Sequence, residues 1–202
     1  MSRGRGILFI VSGPSGVGKG TVLSRVCDDM RDISVNVSVT TRQPREGEIN
    51  NVHYTFIGKE EFDRLVREDG MYEYVEALGC GYGTPKKAVD DKLANNEDVI
   101  LEIETIGAEK IRKTRECVSI FIMPPSFSEL QRRLEARMTE TPEQIKKRMD
   151  KCREELPCAY QYDYVVLNDD LASCIRKVDA IIEAERQKVD RNRDNIAKIL
   201  NS

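Results

Sequence analysis

The fold is decided by one stretch near the N-terminus, which reads Gly13-Pro14-Ser15-Gly16-Val17-Gly18-Lys19-Gly20-Thr21. It matches the pattern G-x-x-x-x-G-K between an apolar run and a helical pattern, which is the context this motif requires. Glycines let the backbone curl until its N–H groups surround phosphate oxygens, and the lysine adds a positive charge. A Gly-rich turn with only a structural role is the alternative, but Lys19 at this spacing argues against it. We name these nine residues the phosphate loop and expect them to bind a nucleoside triphosphate.

One position in this loop departs from the common pattern. Gly20 stands where a Ser or Thr usually supplies a hydroxyl to Mg²⁺, and Thr21 follows one residue later. Gly18-Lys19-Gly20-Thr21 resembles the loop of adenylate kinases and some guanylate kinases. This resemblance implies that Mg²⁺, the expected cofactor, is held largely by phosphates and waters. Thr21 is the candidate metal ligand, directly or through a water.

The rest of the chain alternates short apolar runs with helical patterns. The runs are Ile7–Ser12, Val35–Val39, Val99–Ile103, Val118–Met123 and Tyr164–Leu167. This alternation predicts an α/β fold with a parallel sheet core covered by helices. Two segments do not fit the alternation, and we name them the acceptor lobe (residues 38–87) and the lid (residues 126–160). The core is expected to comprise residues 1–37, 88–125 and 161–202.

Helix starts can be read from capping residues. Ser126 with Glu129, and Thr141-Pro142 with Gln144, form capping boxes that open helices to Arg137 and to about Leu156. Thr84-Pro85 is expected to open a third helix, to about Asn95, and Ala172–Leu200 is expected to form one long helix.

Composition excludes several classes of protein. Lys and Arg number 32 against 35 Asp and Glu, for a formal net charge of −3, which argues against a nucleic-acid partner. No apolar run approaches the ~20 residues that cross a bilayer, so we expect no membrane partner. The six cysteines include no C-x-x-C pair, and the single histidine argues against His-based zinc sites. We expect a cytoplasmic protein with reduced cysteines, as a monomer or homodimer.

A second segment indicates the phosphate acceptor. The stretch Ser38-Val39-Thr40-Thr41-Arg42-Gln43-Pro44-Arg45-Glu46-Gly47-Glu48, followed by Tyr54, closely resembles the GMP-binding segment of guanylate kinases. The resemblance continues through Glu73 and Gly81-Tyr82-Gly83-Thr84, and extends from Ile7 to about Ile182. It implies a kinase that transfers the γ-phosphate of ATP to GMP, with the acceptor lobe binding GMP.

The chemistry of these side chains agrees with the resemblance. Arg42 and Arg45 can clamp one phosphate with their fork donors, and Tyr54 and Tyr82 can add hydroxyl donors. Glu73 accepts hydrogen bonds only, which suits the N1–H and N2–H₂ edge of guanine. Ser38 and Thr84 can complete the contacts to the base.

Two carboxylates end the run that contains Leu101. Glu102 and Glu104 are expected near the ligand crevice, because ligands of α/β sheets bind at the carboxyl ends of strands. The resemblance implies contact with GMP or with a Mg²⁺-bound water.

The lid and the last strand supply the remaining candidates. The resemblance implies that Arg137 and Arg148 contact the phosphates during transfer, where they would act with Lys19 and Arg42 as catalytic residues. It also implies that Asn168, after the last strand, lies beside the adenine of ATP.

Two other functions stay open at this point. Guanylate-kinase-like domains of membrane scaffolds bind peptides without catalysis, but they typically lack a working phosphate loop. A related phosphate-loop kinase could instead act on another acceptor, such as a ribose bisphosphate. The set of arginines, tyrosines and Glu73 argues for a nucleoside monophosphate.

Overall fold

The computed structural model describes residues 5–45, 47–77, 79–136 and 141–202. Its strands are β1 (Leu8–Ser12), β2 (Ile33–Val35), β3 (Val39–Thr40), β4 (Thr55–Phe56), β5 (Met71–Ala77), β6 (Cys80–Pro85), β7 (Asp98–Glu102), β8 (Val118–Met123) and β9 (Tyr164–Leu167). Its helices are α1 (Lys19–Asp29), α2 (Lys59–Arg67), α3 (Lys86–Ala94), α4 (Thr105–Thr114), α5 (Phe127–Glu135), α6 (Pro142–Glu155), α7 (Leu171–Arg186) and α8 (Val189–Leu200), with a 3₁₀ helix over Leu156–Gln161.

A parallel sheet forms the core, in the strand order β2-β7-β1-β8-β9. Each of these neighbours pairs in parallel, and all five residues of β1 are buried. Because strands buried on both faces consist of continuous apolar residues, the apolar runs in the sequence predicted these strands. The phosphate-loop stretch follows β1 at the carboxyl edge, in the middle of the sheet. The predicted α/β class with a helix-covered parallel core is confirmed.

Alternate side chains of β1 enter two separate apolar layers. Phe9 and Val11 belong to the larger cluster, which also holds residues of α1 and α7. Leu8 and Ile10 belong to the second cluster, which holds residues of α3 and α4. Because successive side chains of a strand point to opposite faces, the sheet is held between two helical layers.

The acceptor lobe has a sheet and a small core of its own. Its strand order is β4-β3-β6-β5, with β6 antiparallel to both β3 and β5. Val39, Phe62 and Met71 form its buried cluster. This separate core supports treating residues 38–87 as an inserted lobe, although the exact boundaries stay a prediction.

The lid helices begin at the caps read from the sequence. The Ser126 hydroxyl accepts a hydrogen bond from the backbone N–H of Glu129, and Thr141 with Gln144 forms a complete capping box. Four apolar lid residues join the larger core cluster, namely Leu130, Leu134, Met149 and Cys152. The lid is therefore packed onto the core. Arg137 lies outside the described residues.

Two expectations about element bounds were wrong. The run Val35–Val39 is not one strand: β2 ends at Val35 in the core sheet, and β3 begins at Val39 in the lobe sheet. Residues 36–38 carry the chain from one sheet to the other. The helix expected after Thr84 is present as α3, but Pro85 is its N-cap and Lys86 its first residue, while Thr84 lies in β6. The Thr84 hydroxyl donates to Glu73 and does not cap the helix.

The long C-terminal helix was also predicted wrongly, since it is divided into α7 and α8. Arg186 ends α7, where its side chain donates to buried Asp98 and to the carbonyl of Arg31. The Asn192 amide donates to the carbonyl of Arg186, at the end of α7, where the last carbonyls have no partner within the helix. It also donates to the carbonyl of Lys188. Among the helices in the described ranges, none has both the length and the apolar content to span a membrane.

Candidate active site

Residues 13–18 of the phosphate loop join β1 to α1, and its last three residues begin α1. Gly16 and Gly18 have φ values of 87° and 94°, in the left-handed region where glycine is favoured. A Cβ at Gly16 would also lie 2.6 Å from Cδ2 of Leu134. The backbone conformation therefore favours glycine at both positions, and at Gly16 a side chain would also force Leu134 to shift.

Lys19 reaches back across the loop from the first turn of α1. Its ammonium donates to the carbonyl oxygen of Gly13 at 2.8 Å and lies 3.5 Å from that of Pro14. Burial lowers the pKa of Lys19, whereas the charges of Glu102, Glu155 and Glu104 oppose this shift. A phosphate beside the ammonium would add to this opposition and favour the charged form.

Distant residues brace the loop from both sides. The Asn168 amide donates to the carbonyl of Val17 at 2.7 Å, and Arg133 donates to the carbonyl of Asn168 at 3.0 Å. Arg148, on α6, donates to the hydroxyl of Ser15 at 2.7 Å. The predicted lid arginine thus lies at the phosphate loop. The Asn168 side chain supports that loop, and its contact with adenine stays a prediction.

A cleft of about 730 Å³ opens between the phosphate loop and the acceptor lobe. Six predicted site residues line it: Lys19, Gly20, Ser38, Tyr54, Glu102 and Glu104. A hollow of about 790 Å³ lies at the amino edge of the sheet, beside α8. We assign the site to the first cleft, because the phosphate loop and the carboxyl ends of the strands are there.

The start of α1 offers oxygen ligands for Mg²⁺. A Cβ at Gly20 would lie 3.7 Å from Oε2 of Glu102, so this carboxylate is close to where a Ser or Thr side chain would stand. Burial raises the pKa of Glu102, and the charge of Lys19 opposes the shift. Thr21 is exposed and follows Gly20 on the helix. These oxygens fit a Mg²⁺ that arrives with a nucleotide, because Mg²⁺ is commonly bound by one or two carboxylates plus phosphates.

Arg42 lies two residues after β3 in the acceptor lobe and is fixed by several contacts. Its guanidinium donates to both carboxylate oxygens of Glu48 at 2.9 Å. It also lies 5.6 Å from the ring centre of Tyr54 and 5.7 Å from that of Phe56. Its pKa is raised, chiefly by the bond to Glu48 and also by the Tyr82 hydroxyl. The predicted phosphate-binding arginine is therefore ordered by its neighbours.

Tyr54 and Tyr82 stand next to this arginine. Their rings meet edge to face, with centroids 6.0 Å apart, and burial raises the pKa of Tyr54. Arg45 is exposed, and its backbone N–H donates to Glu48 at 2.7 Å. The structure thus brings together Arg42, both tyrosines and the backbone of Arg45.

Glu73 occupies a half-buried position on β5. Thr84, its partner on β6, donates its hydroxyl to Oε1 at 2.8 Å. Burial raises the pKa of Glu73, with the Thr84 bond and the charge of Lys110 acting against this. A Cβ at Gly107 would lie 3.1 Å from Oε2. The glycine on α4 therefore leaves room for this carboxylate.

Three residues that contact predicted site residues were not predicted from the sequence to belong to the site. Glu48 binds Arg42, Gly107 adjoins Glu73, and Lys151 on the lid forms an ion pair with Glu104 at 2.9 Å. Glu48 lies in the segment that resembles the GMP-binding segment of guanylate kinases, so its position near Arg42 and Arg45 could have indicated an ion pair with one of them. Gly107 and Lys151 gave no local signal, because their partners are distant in sequence.

Comparison with known proteins agrees with this geometry. A family model described as guanylate kinase matches residues 5–185. The chain is 44% identical to a guanylate kinase of Caldanaerobacter subterraneus subsp. tengcongensis, over 96% of this chain and 95% of that protein. It is 46% identical to one of Thermus thermophilus, over 93% of this chain and 85% of that protein. The crystal structure of guanylate kinase from Anaplasma phagocytophilum is similar with a TM-score of 0.76 and 33% identity, over 95% of this chain and 92% of that one. The chain therefore belongs to the guanylate kinase family.

Proposed function

We propose that this chain transfers the γ-phosphate of ATP to GMP, giving ADP and GDP, in the cleft between the phosphate loop and the acceptor lobe. One observation carries the proposal: Lys19 of the loop and Ser38 and Tyr54 of the lobe line the same cleft. A donor triphosphate on the loop and an acceptor monophosphate on the lobe would therefore face each other. Such juxtaposition is a large part of catalysis in phosphoryl transfer.

The chemical step needs no base from the protein. An oxygen of the GMP phosphate is already anionic and attacks the γ-phosphorus of ATP in line. A new P–O bond forms as the bond between the γ-phosphorus and the β,γ-bridging oxygen breaks, and that oxygen leaves with ADP. Arg42 and Arg45 would aim the acceptor phosphate, with Tyr54 and Tyr82 donating from beside it.

Positive charge around the transferring group would come from three elements. Lys19 projects into the loop, Arg148 reaches Ser15 from the lid, and we propose that Arg137 acts with them. Mg²⁺ would be held mainly by phosphates and waters, with Glu102 and Thr21 as protein oxygens. When bound, it offsets negative charge on the phosphates.

Glu73 is proposed to select the base. Its Oε1 accepts from Thr84, and its remaining lone pairs can accept from N1–H and N2–H₂ of guanine. Adenine has no such pair of donors. Ser38, Thr84, Glu102 and Glu104 are proposed to complete the GMP site, and Asn168 to lie beside the adenine of ATP.

The two alternative functions are not favoured. The phosphate loop is intact and braced, unlike that expected in a peptide-binding module. The identity to guanylate kinases extends over nearly the whole chain, which includes the acceptor lobe that a ribose bisphosphate kinase would need to change. The cytoplasmic location and the monomeric or dimeric state stay predictions.

The proposal is tested by an assay of ADP release with ATP, Mg²⁺ and one of GMP, AMP, CMP, UMP or dTMP. We expect turnover with GMP far above that with the other four. Lys19→Met keeps the aliphatic stem and removes the charge, so it should abolish turnover. Lys87→Met is the matched control, because Lys87 is 86% exposed and pairs with Asp91 on α3. No turnover with any acceptor, from folded protein, would overturn the proposal.

A further inference from the structure

Glu48 has both carboxylate oxygens engaged within the acceptor lobe. Oε1 accepts from Nη2 of Arg42 at 2.9 Å, and Oε2 accepts from Nη1 of Arg42 at 2.9 Å. Oε2 also accepts from the backbone N–H of Arg45 at 2.7 Å. These bonds, led by those from Arg42, lower the pKa of Glu48 to about 2. One carboxylate thus joins both arginines that are proposed to bind the acceptor phosphate.

Further contacts fix the orientation of Arg42. Nη1 also donates to the carbonyl of Gln43 at 2.7 Å, two aromatic rings lie against the guanidinium, and the Tyr82 hydroxyl interacts with it. Only 15% of the Arg42 side chain and 18% of the Glu48 side chain are exposed. A guanidinium has five N–H donors in one plane. Because Glu48 and Gln43 take those at its Nη1–Nη2 end, the edge formed by Nε and the outer hydrogen of Nη2 faces away from Glu48.

We propose that Glu48 is a positioning residue for the acceptor phosphate. It holds the guanidinium plane of Arg42 so that the Nε–Nη2 edge is presented to the phosphate of GMP before GMP arrives. This inference rests on the proposed function. Bidentate recognition depends on a planar fork in a set orientation, and orientation that exists before binding reduces the entropic cost of binding.

An opposite role for Glu48 can be considered on the same contacts. If Glu48 only occupied Arg42 in place of a phosphate, GMP would have to displace it, and its removal would tighten GMP binding. The bond from the Arg45 backbone argues against displacement, because it anchors the carboxylate independently of the Arg42 side chain. A turn in which the N–H of Glu48 donates to the carbonyl of Arg45 at 3.1 Å adds to this anchor. With Glu48 in place, Arg42 and Arg45 still leave one net positive charge for the phosphate.

The test compares Glu48→Gln with Glu61→Gln. Glutamine keeps the size of glutamate but has only one acceptor oxygen. Its NH₂ group would face an N–H of Arg42, so one of the two hydrogen bonds between these side chains is lost. Glu61 is the matched control, because it also binds an arginine by both oxygens, Arg64, on the exposed side of α2. We expect the KM for GMP to rise about tenfold or more in Glu48→Gln, as for the loss of a charged hydrogen bond. The KM for ATP, and both constants in Glu61→Gln, should stay at wild-type values.

Two further measurements separate positioning from general support of the lobe. Guanosine lacks the phosphate, so its inhibition constant should be the same for Glu48→Gln and wild type. If that inhibition constant rises by the same factor as the KM for GMP, the inference is overturned. In an Arg42→Lys background, Glu48→Gln should change the KM for GMP by less than about twofold, because coupled residues are not additive.

The outcomes also distinguish this inference from the proposed function. A wild-type protein that turns over GMP, with an unchanged or lower KM for GMP in Glu48→Gln, would overturn the positioning role alone. A wild-type protein that neither binds nor phosphorylates GMP would overturn both.

Discussion

Glu73→Gln changes the proposed base reader by one functional group while keeping its size. The wild-type carboxylate accepts from Thr84 through Oε1, and it has lone pairs left for the two donors on the edge of guanine. A glutamine offers one oxygen acceptor and one NH₂ donor. If the oxygen keeps the Thr84 bond, the NH₂ faces N1–H or N2–H₂, and two donors oppose each other.

The size of the effect follows from the bonds lost. Glu73 is half-buried, and burial raises its pKa, so its charge is only partly hydrated. A hydrogen bond to a charged group contributes about 1.5–3 kcal/mol. Loss of one such bond lowers kcat/KM for GMP about ten- to a hundredfold, since about 1.4 kcal/mol is a factor of ten. The KM for ATP should not change, because the triphosphate is bound on the phosphate loop.

The assay measures initial rates of ADP release while GMP and ATP are varied in turn. Glu76→Gln is the matched control, because Glu76 lies on the same strand with 62% of its side chain exposed and pairs with Lys59. We expect wild-type constants for this control. A Glu73→Gln protein with wild-type kcat/KM for GMP would refute the assignment of Glu73 to the base. So would a protein whose kcat/KM for ATP falls by the same factor as its kcat/KM for GMP.

Three further predictions follow from neighbouring contacts. Gly107→Ala should keep or raise the melting temperature, since alanine favours a helix by up to about 1 kcal/mol. It should nevertheless raise the KM for GMP, because the new Cβ would lie 3.1 Å from Oε2 of Glu73. A lower melting temperature with an unchanged KM for GMP would contradict this prediction. Asn168→Ala leaves the carbonyl of fully buried Val17 without its side-chain donor. Urea unfolding should therefore show a free energy of unfolding lower by about 1–3 kcal/mol, and the KM for ATP should rise. The control Asn195→Ala, on α8, should change neither quantity. Because burial raises the pKa of Glu73 above its ordinary value of 4.5, kcat/KM for GMP should fall as pH decreases through that raised pKa, and Glu73→Gln should lack this part of the acid limb; an identical limb in both proteins would rule the explanation out.

Local patterns predicted much of this protein. The phosphate loop needs only a strand, glycines at set spacing and Lys19, and both lid caps involve residues three apart, such as Ser126 and Glu129. Such signals are complete within a few residues. They therefore identified the sheet core, the loop and the beginnings of α5 and α6.

Contacts between distant residues could not be read in this way. Arg148 and Ser15 are 133 residues apart, and Asn168 and Val17 are 151 apart. No local pattern shows that the Asn168 amide is used to brace the loop. At the end of α7, Arg186 likewise contacts Asp98, 88 residues away. The apolar pattern of the terminal segment does not show that contact or the end of α7, so a single helix was expected.

The central claim is the fate of the γ-phosphate, and phosphorus-31 NMR of ATP, GMP and Mg²⁺ with the enzyme follows it directly. The account predicts that the β-phosphate resonances of ADP and GDP grow together in equal amounts, and that ADP and GDP mixed with the enzyme regenerate ATP and GMP. Growth of inorganic phosphate instead of GDP, or an unchanged spectrum from folded wild-type protein, would contradict it.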